Sequence, residues 1–129
     1  MKRPKILIVD DEPDITFTFR KILERAGFDV DTYNDSLMAL REFKPEKYDI
    51  LLIDIKMPNM SGLELYRKIT EIDGSQKVCF VTAFDRYYEE FRRLLPTMNV
   101  DCFLRKPIEG SELVTQVRMR LATNGAKNS

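Results

Sequence analysis

The sequence predicts an α/β sandwich, doubly wound about a sheet of five parallel strands. Three observations carry that prediction. Ile6–Val9, Ile50–Ile53 and Val78–Val81 are unbroken apolar runs rich in β-branched residues, the composition of strands buried on both faces of a parallel sheet. Stretches of helical periodicity lie between them. The two patterns alternate, strand then helix, five times along the chain, and right-handed crossovers then place helices on both faces of one sheet.

The first strand, Ile6–Val9, leads to a helix striped by Ile15, Phe19, Ile22, Leu23 and Ala26, a spacing that lines one face. Pro13 suits its first turn and Gly27 its exit. Val30–Tyr33 alternates polar with apolar and reads as a more exposed edge strand. Ser36–Phe43 is a short helix that ends before Pro45. After the third strand, Ile50–Ile53, a capping box at Ser61-Gly62-Leu63-Glu64 opens a helix striped by Leu65, Tyr66, Ile69 and Ile72. The fourth strand, Val78–Val81, is followed by a stripe at Tyr87, Tyr88, Phe91, Leu94 and Leu95 that Pro96 stops. Cys102–Leu104 is a short fifth strand, and Leu113, Val114, Val117 and Leu121 stripe the last helix. Residues 1–122 thus form one domain, and residues 123–129, with a single apolar side chain, read as a tail or the start of a linker.

Composition narrows the chemistry. The 129 residues include 43% apolar and 33% charged side chains, enough for a packed core. Lysine plus arginine and aspartate plus glutamate both count 21, so direct nucleic-acid binding through a basic excess is not expected. The apolar runs fall far short of the ~20 residues that span a bilayer, so membrane insertion is not expected either. The basic start, Met1-Lys2-Arg3-Pro4, precedes an apolar run that Asp10 interrupts too early for a signal peptide. There is no histidine, which excludes histidine triads, histidine metal sites and phosphohistidine within this chain. Cys79 and Cys102 lie in apolar segments and read as reduced core residues of a cytoplasmic protein. Asn34-Asp35-Ser36 and Asn59-Met60-Ser61 match the glycosylation pattern, but no export signal supports either.

Ligands of open α/β sheets bind outside the carboxyl ends of the strands. Here the first strand ends in Asp10-Asp11, the third in Asp54 and the fourth in Thr82, while Lys106 lies just beyond the fifth. Like-charge carboxylates about 4 Å apart repel by on the order of 4 kcal/mol at an effective dielectric near 20. A proton or a cation must therefore sit among the three. Oxygen donors without histidine suit a hard divalent ion, Mg²⁺ above all, with Mn²⁺ as the alternative. A hard cation, a central aspartate, a hydroxyl and a lysine together suit phosphoryl transfer. The bland reading, that strand-end aspartates only cap the following helices, explains one such residue better than the joint pattern.

Ile8-Val9-Asp10-Asp11-Glu12-Pro13-Asp14, Leu52-Ile53-Asp54-Ile55-Lys56-Met57-Pro58-Asn59-Met60-Ser61-Gly62, Val81-Thr82-Ala83 and Lys106-Pro107 resemble, in content and order, the receiver domain of bacterial-type response regulators of two-component systems. The resemblance spans residues 4–122. It implies a flavodoxin-like (βα)5 sandwich with strand order 2-1-3-4-5, and a signalling switch that takes a phosphoryl group on Asp54 from a histidine kinase or phosphotransfer protein. It implies no enzyme in the usual sense, only Mg²⁺-dependent catalysis of its own phosphorylation and dephosphorylation. Asp11, Asp54 and the Lys56 carbonyl would hold the metal directly, and Asp10 through water. Thr82, Ala83 and Lys106 would meet the phosphoryl group. Phe103 would occupy the aromatic switch position, and the Lys106-Pro107 bond would be cis.

Ser61 and Phe103 depart from the family's commoner aspartate and tyrosine, and Phe103 has no hydroxyl to donate inward. Lys56 and Phe84 stand two residues after Asp54 and Thr82, where the family tunes the acyl phosphate lifetime. Neither can orient a hydrolytic water as a carboxylate or carboxamide would, so slow self-dephosphorylation is expected. Phe17 points about 160° from its helix's apolar stripe; an exposed aromatic there is either incidental or, as the resemblance implies for that helix, part of a kinase-docking patch. Two other readings compete. An aspartyl phosphatase would want a second aspartate two residues after Asp54, where Lys56 stands. A phosphorylation-independent interaction module on the same fold is the stronger alternative. Monomer and phosphorylation-linked dimer both remain open.

Overall fold

The structure, a computed structural model, describes residues 3–83, 93 and 102–122. Five strands, β1 (Lys5–Val9), β2 (Asp29–Tyr33), β3 (Ile50–Ile53), β4 (Val78–Ala83) and β5 (Phe103–Lys106), form one sheet in the order β2-β1-β3-β4-β5. All four pairings are parallel. The described helices are α1 (Pro13–Arg25), α2 (Ser36–Glu42), α3 (Gly62–Ile72) and α4 (Gly110–Ala122). The doubly wound prediction and the edge position of β2 are borne out. The stripe predicted from Tyr87 to Leu95 and the tail at 123–129 lie outside the described residues.

Alternation along the central strands splits the core into two layers. Leu7, Val9, Leu51, Ile53 and Phe80 face one way and pack with Ala39 of α2 and Leu63, Leu65 and Ile69 of α3. Ile6, Ile8, Ile50, Leu52, Cys79 and Val81 face the other and pack with Phe19 and Leu23 of α1 and Leu113 and Val117 of α4. Every residue of β3 is buried, as a strand covered on both faces requires.

The helix ends follow the local chemistry. Pro13 takes the first turn of α1, and Gly27 exits it at φ +103°, a left-handed value that glycine adopts at little cost. The Asp35 carboxylate accepts from the Leu37 amide to cap α2. The Ser61 hydroxyl caps α3 by accepting from the Glu64 amide at 3.2 Å, as the capping box predicts. Asn59 sits at φ +70°, which asparagine tolerates better than most residues. Strand ends are the common shortfall of the sequence reading: β4 extends through Thr82 to Ala83, and β5 includes Lys106 rather than stopping before it.

The cysteine reading is corrected. Cys79 and Cys102 are joined as a disulfide, and no described cysteine is free. The cause is register. Phe80 pairs with Phe103 across β4 and β5, so Cys79 and Cys102 fall side by side with Cα atoms 4.6 Å apart, within disulfide reach. Counting cysteines along the sequence could not reveal that adjacency. The bridge closes a loop of sequence separation 23, which restricts the unfolded chain by about 3 kcal/mol in the loop-entropy view. Under denaturing conditions, thiol titration should find no free thiol before reduction and two after it. Reduction should lower unfolding stability in denaturant melts by roughly that amount.

Candidate functional site

Parallel registry builds the site. Val9 pairs with Ile53 across β1 and β3, so the next residues, Asp10 and Asp54, emerge side by side at the carboxyl end of the sheet. The Asp54 amide donates to the Val9 carbonyl at 2.9 Å and continues the pairing by one step. Sheet order places β1 between β2 and β3, and the crossovers from β1 and β3 leave toward opposite faces. That divergence is the switch point where open α/β sheets bind ligands.

Asp10, Asp11 and Asp54 each offer a carboxylate oxygen, and these oxygens lie within 4.8 Å of one another. Asp10 and Asp54 are buried, and Asp11 is half-buried. Lys106 arrives from the end of β5. Its Nζ lies 2.6 Å from Asp10 Oδ2, 3.7 Å from Asp54 Oδ2 and 3.7 Å from Glu12 Oε1. The Lys106-Pro107 bond is cis, as the family resemblance implies. Thr82, buried on β4, acts on the Asp54 carboxyl and favours its ionised form.

The electrostatics follow from this crowding. Burial, then the Asp10 charge, push the Asp54 carboxyl up from 3.8 to about 6, against the opposing pull of Lys106 and Thr82. Burial works against the Lys106 charge. The hydrogen bond to Asp10 and the charges of Asp54, Asp10 and Glu12 outweigh it, so the ammonium is held above lysine's ordinary value. One ammonium thus faces three carboxylates, those of Asp10, Asp54 and Glu12. The oxygen-only donor set and the excess of carboxylate over ammonium charge fit a hard divalent cation among Asp10, Asp11 and Asp54.

The sequence reading missed several residues that shape this arrangement. Gly62, first residue of α3, has its amide on the Ile55 carbonyl at 2.7 Å. A Cβ at Gly62 would fall on the Asp54 backbone carbonyl, so a larger residue there would displace the strand end. Glu12 joins the Lys106 network, and its amide donates to Asp10 Oδ1 at 2.9 Å. That bond orients the Asp10 carboxylate and satisfies an amide at the start of α1. Its place immediately after the acidic pair was the only sequence signal for Glu12.

Lys56 is exposed on the loop after β3. Phe103 is partly buried and packs on the layer that holds α2 and α3. Phe84 lies outside the described residues. Phe17 is 61% exposed on α1, as its angular position predicted, with Lys21 Nζ 4.9 Å from its ring centre. Phe17, Lys21 and Arg25 of α1 line one groove with Val114 and Arg118 of α4.

A doubly wound five-stranded sheet with an acidic cluster at its switch point and a lysine from the last strand defines a receiver-type fold and site. Comparison with known proteins agrees. Residues 6–118 match the response regulator receiver domain, and the chain belongs to that family. It is 33% identical over 114 residues to the transcriptional regulatory protein TrcR of Mycobacterium tuberculosis, covering 88% of this chain and 44% of that one. Most of the regulator's length therefore has no counterpart here. A receiver domain structure from Clostridium thermocellum is 28% identical, with TM-score 0.84, over 95% of this chain and 98% of that one. The response regulator TrrA of Thermotoga maritima, solved with Mg²⁺ and BeF, is 30% identical with TM-score 0.76 over 91% and 98% of the two chains. No helix among the described residues is long and apolar enough to cross a membrane.

Asp54 gives the site a measurable pH signature. Its carboxyl titrates near 6 when folded, above the ordinary 3.8. Between those values the folded state binds more protons than the unfolded state, so this group's contribution to stability falls as pH rises from about 4 to 6. In metal-free buffer at pH 7, Asp54→Asn should therefore stabilise the fold by up to about 3 kcal/mol. The gain should fade below pH 4. Chemical denaturation across pH 3.5–7.5 checks both the sign and the window.

Proposed function

We propose that this domain is a phosphorylation-controlled switch of a two-component system, with Asp54 as phosphoacceptor. The observation that carries the reading is Asp54 itself, buried between two further carboxylates and 3.7 Å from the Lys106 ammonium. A carboxyl titrating near 6 is mostly ionised at neutral pH, so its oxygen is available as a nucleophile. That oxygen attacks phosphorus. The bond from phosphorus to the donor's imidazole nitrogen breaks, the nitrogen keeps the electron pair, and an acyl phosphate forms. Later attack by water releases inorganic phosphate and restores the carboxylate.

The donor is a histidine kinase or a phosphotransfer protein, since this chain has no histidine of its own. Asp11, Asp54 and the Lys56 carbonyl would hold Mg²⁺ directly and Asp10 through water. When bound, the ion neutralises charge developing on the phosphoryl oxygens. The Mg²⁺ and BeF of the Thermotoga relative support that assignment. Lys106 balances the phosphoryl charge, and the Thr82 hydroxyl and Ala83 amide are its hydrogen-bonding partners on β4. Phe103 responds as the switch aromatic. Residues 1–122 are the signalling unit and 123–129 a tail or linker. The proposed location is the cytoplasm, where ATP charges phosphohistidine donors.

Incubation with acetyl phosphate and Mg²⁺, read by intact mass, should add one phosphoryl group to the wild type and none to Asp54→Asn. An adduct persisting in that variant would remove Asp54 from its role. No adduct on the wild type would favour a phosphorylation-independent module. Lys56, as a point charge near the phosphoryl oxygens, and Phe84, as a bulky apolar neighbour, are proposed to slow hydrolysis. In a chase of the same adduct, Lys56→Asn and Phe84→Glu should both decay faster than wild type. Equal decay would release both residues from that role.

Phe17 and the groove it lines are proposed as the kinase-docking patch, with Lys21, Arg25 and Arg118 supplying charge at its walls. Phe17→Ala should slow transfer from the cognate kinase several-fold while leaving acetyl phosphate labelling unchanged. Equal loss in both assays would argue against docking.

A further inference from the structure

Asn34-Asp35-Ser36, first met as an unsupported glycosylation pattern, forms the corner between β2 and α2. The corner lies at the edge of the sheet, and none of its side chains belongs to the acidic cluster. Its side chains nevertheless reach both loops that carry the site. Asn34 Nδ2 donates to the Asp10 carbonyl at 2.8 Å and to Thr16 Oγ1 at 3.0 Å. Both amide hydrogens are thereby used. Thr16, buried in α1, donates its own hydroxyl hydrogen bond to the Pro13 carbonyl at 3.1 Å. Beside them, the Asp10 amide donates to the Tyr33 carbonyl at 3.1 Å. Asp10 is therefore held from the β2–α2 corner at both its amide and its carbonyl.

The second loop is held from the same corner. Ser36 is 1% exposed, and its hydroxyl donates to the Met60 carbonyl at 2.9 Å. Met60 lies in the β3–α3 loop, between Asp54 and Gly62. Two residues of one corner thus fasten the loops on either side of the switch point.

We propose that Asn34 and Ser36 are positioning residues for the divalent-cation site. This rests on reading Asp10, Asp11 and Asp54 as that site. The carboxylates repel one another, so the metal-free loops have reason to spread. Backbone carbonyls fixed from outside oppose that spreading, because a held peptide fixes the direction in which the next carboxylate leaves the chain. Asp35 only caps α2. Supporting partners of this kind commonly set metal affinity without touching the metal.

Isothermal titration of the metal-free protein with MgCl₂ tests the idea without phosphorylation. Asn34→Ala and Ser36→Ala should each weaken Mg²⁺ binding about fivefold, the weight of one hydrogen bond. Because the two act on different loops, the double variant should lose the product of the two factors. Thr16→Ser keeps the hydroxyl and should bind as wild type, whereas Thr16→Val should weaken binding. Ala39→Gly serves as the control. It destabilises α2 from a buried position without removing a polar group, so it should lower the melting temperature and leave Mg²⁺ affinity unchanged. Affinity falling in Ala39→Gly as much as in the corner variants would reduce the effect to general instability and overturn the proposal. Wild-type affinity in both corner variants would overturn it alone. A wild type that binds no Mg²⁺ would overturn the metal site and the proposal with it.

Discussion

Mutual repulsion among Asp10, Asp11 and Asp54 is the constraint around which the rest of the molecule is arranged. Water would screen three such carboxylates if they were exposed, but two are buried at the end of the sheet. Part of the repulsion is answered by Lys106, brought from the strand furthest from β2. Part appears as the raised Asp54 carboxyl. The remainder must be borne by backbone, through the strand pairing of β1 with β3 and the fastening of the flanking loops. A site under this tension suits a divalent cation, which would bring positive charge beyond the single ammonium of Lys106.

Much of this was legible in the sequence because parallel strands buried on both faces leave a plain mark. Ile50–Ile53 could be little else, and the polar residues that end each run had to collect at one edge. Asp10, Asp11, Asp54, Thr82 and Lys106 were found in that way. Phe17 was found by angle alone, since a helix repeats every 3.6 residues. What escaped depends on contacts that periodicity does not encode. Gly62 reads as a neutral first residue of a capped helix until its approach to the Asp54 carbonyl is seen. Asn34 and Ser36 read only as the ends of a glycosylation pattern, with Ser36 opening a short helix. The disulfide depended on β4–β5 register, and one step of slip would have separated the two cysteines.

The fifth strand joins the two halves of the core. Cys102, immediately before it, is buried in the layer of α1 and α4, while Phe103 packs against the layer of α2 and α3. Leu104 returns to the first layer, and Lys106 reaches the carboxylates. Within a few residues the chain thus touches both layers and the acidic cluster. The Cys79–Cys102 bond ties this strand to β4 on one face only, leaving the opposite face, where Phe103 packs, outside the covalent link.

Gly62 also has a mechanical consequence. With no side chain between them, the start of α3 and the carbonyl of Asp54 meet backbone to backbone, and such a contact has almost no compliance. The amide of Gly62 on the Ile55 carbonyl adds a second point of attachment to the chain just beyond. A helix of 11 residues is a rod about 16 Å long. Any small displacement of the Asp54 backbone is therefore delivered undamped to one end of that rod. At the far end, where Ile72 is exposed, a tilt of a few degrees would become a lateral movement of about an ångström, with the missing methyl group of Gly62 as its fulcrum.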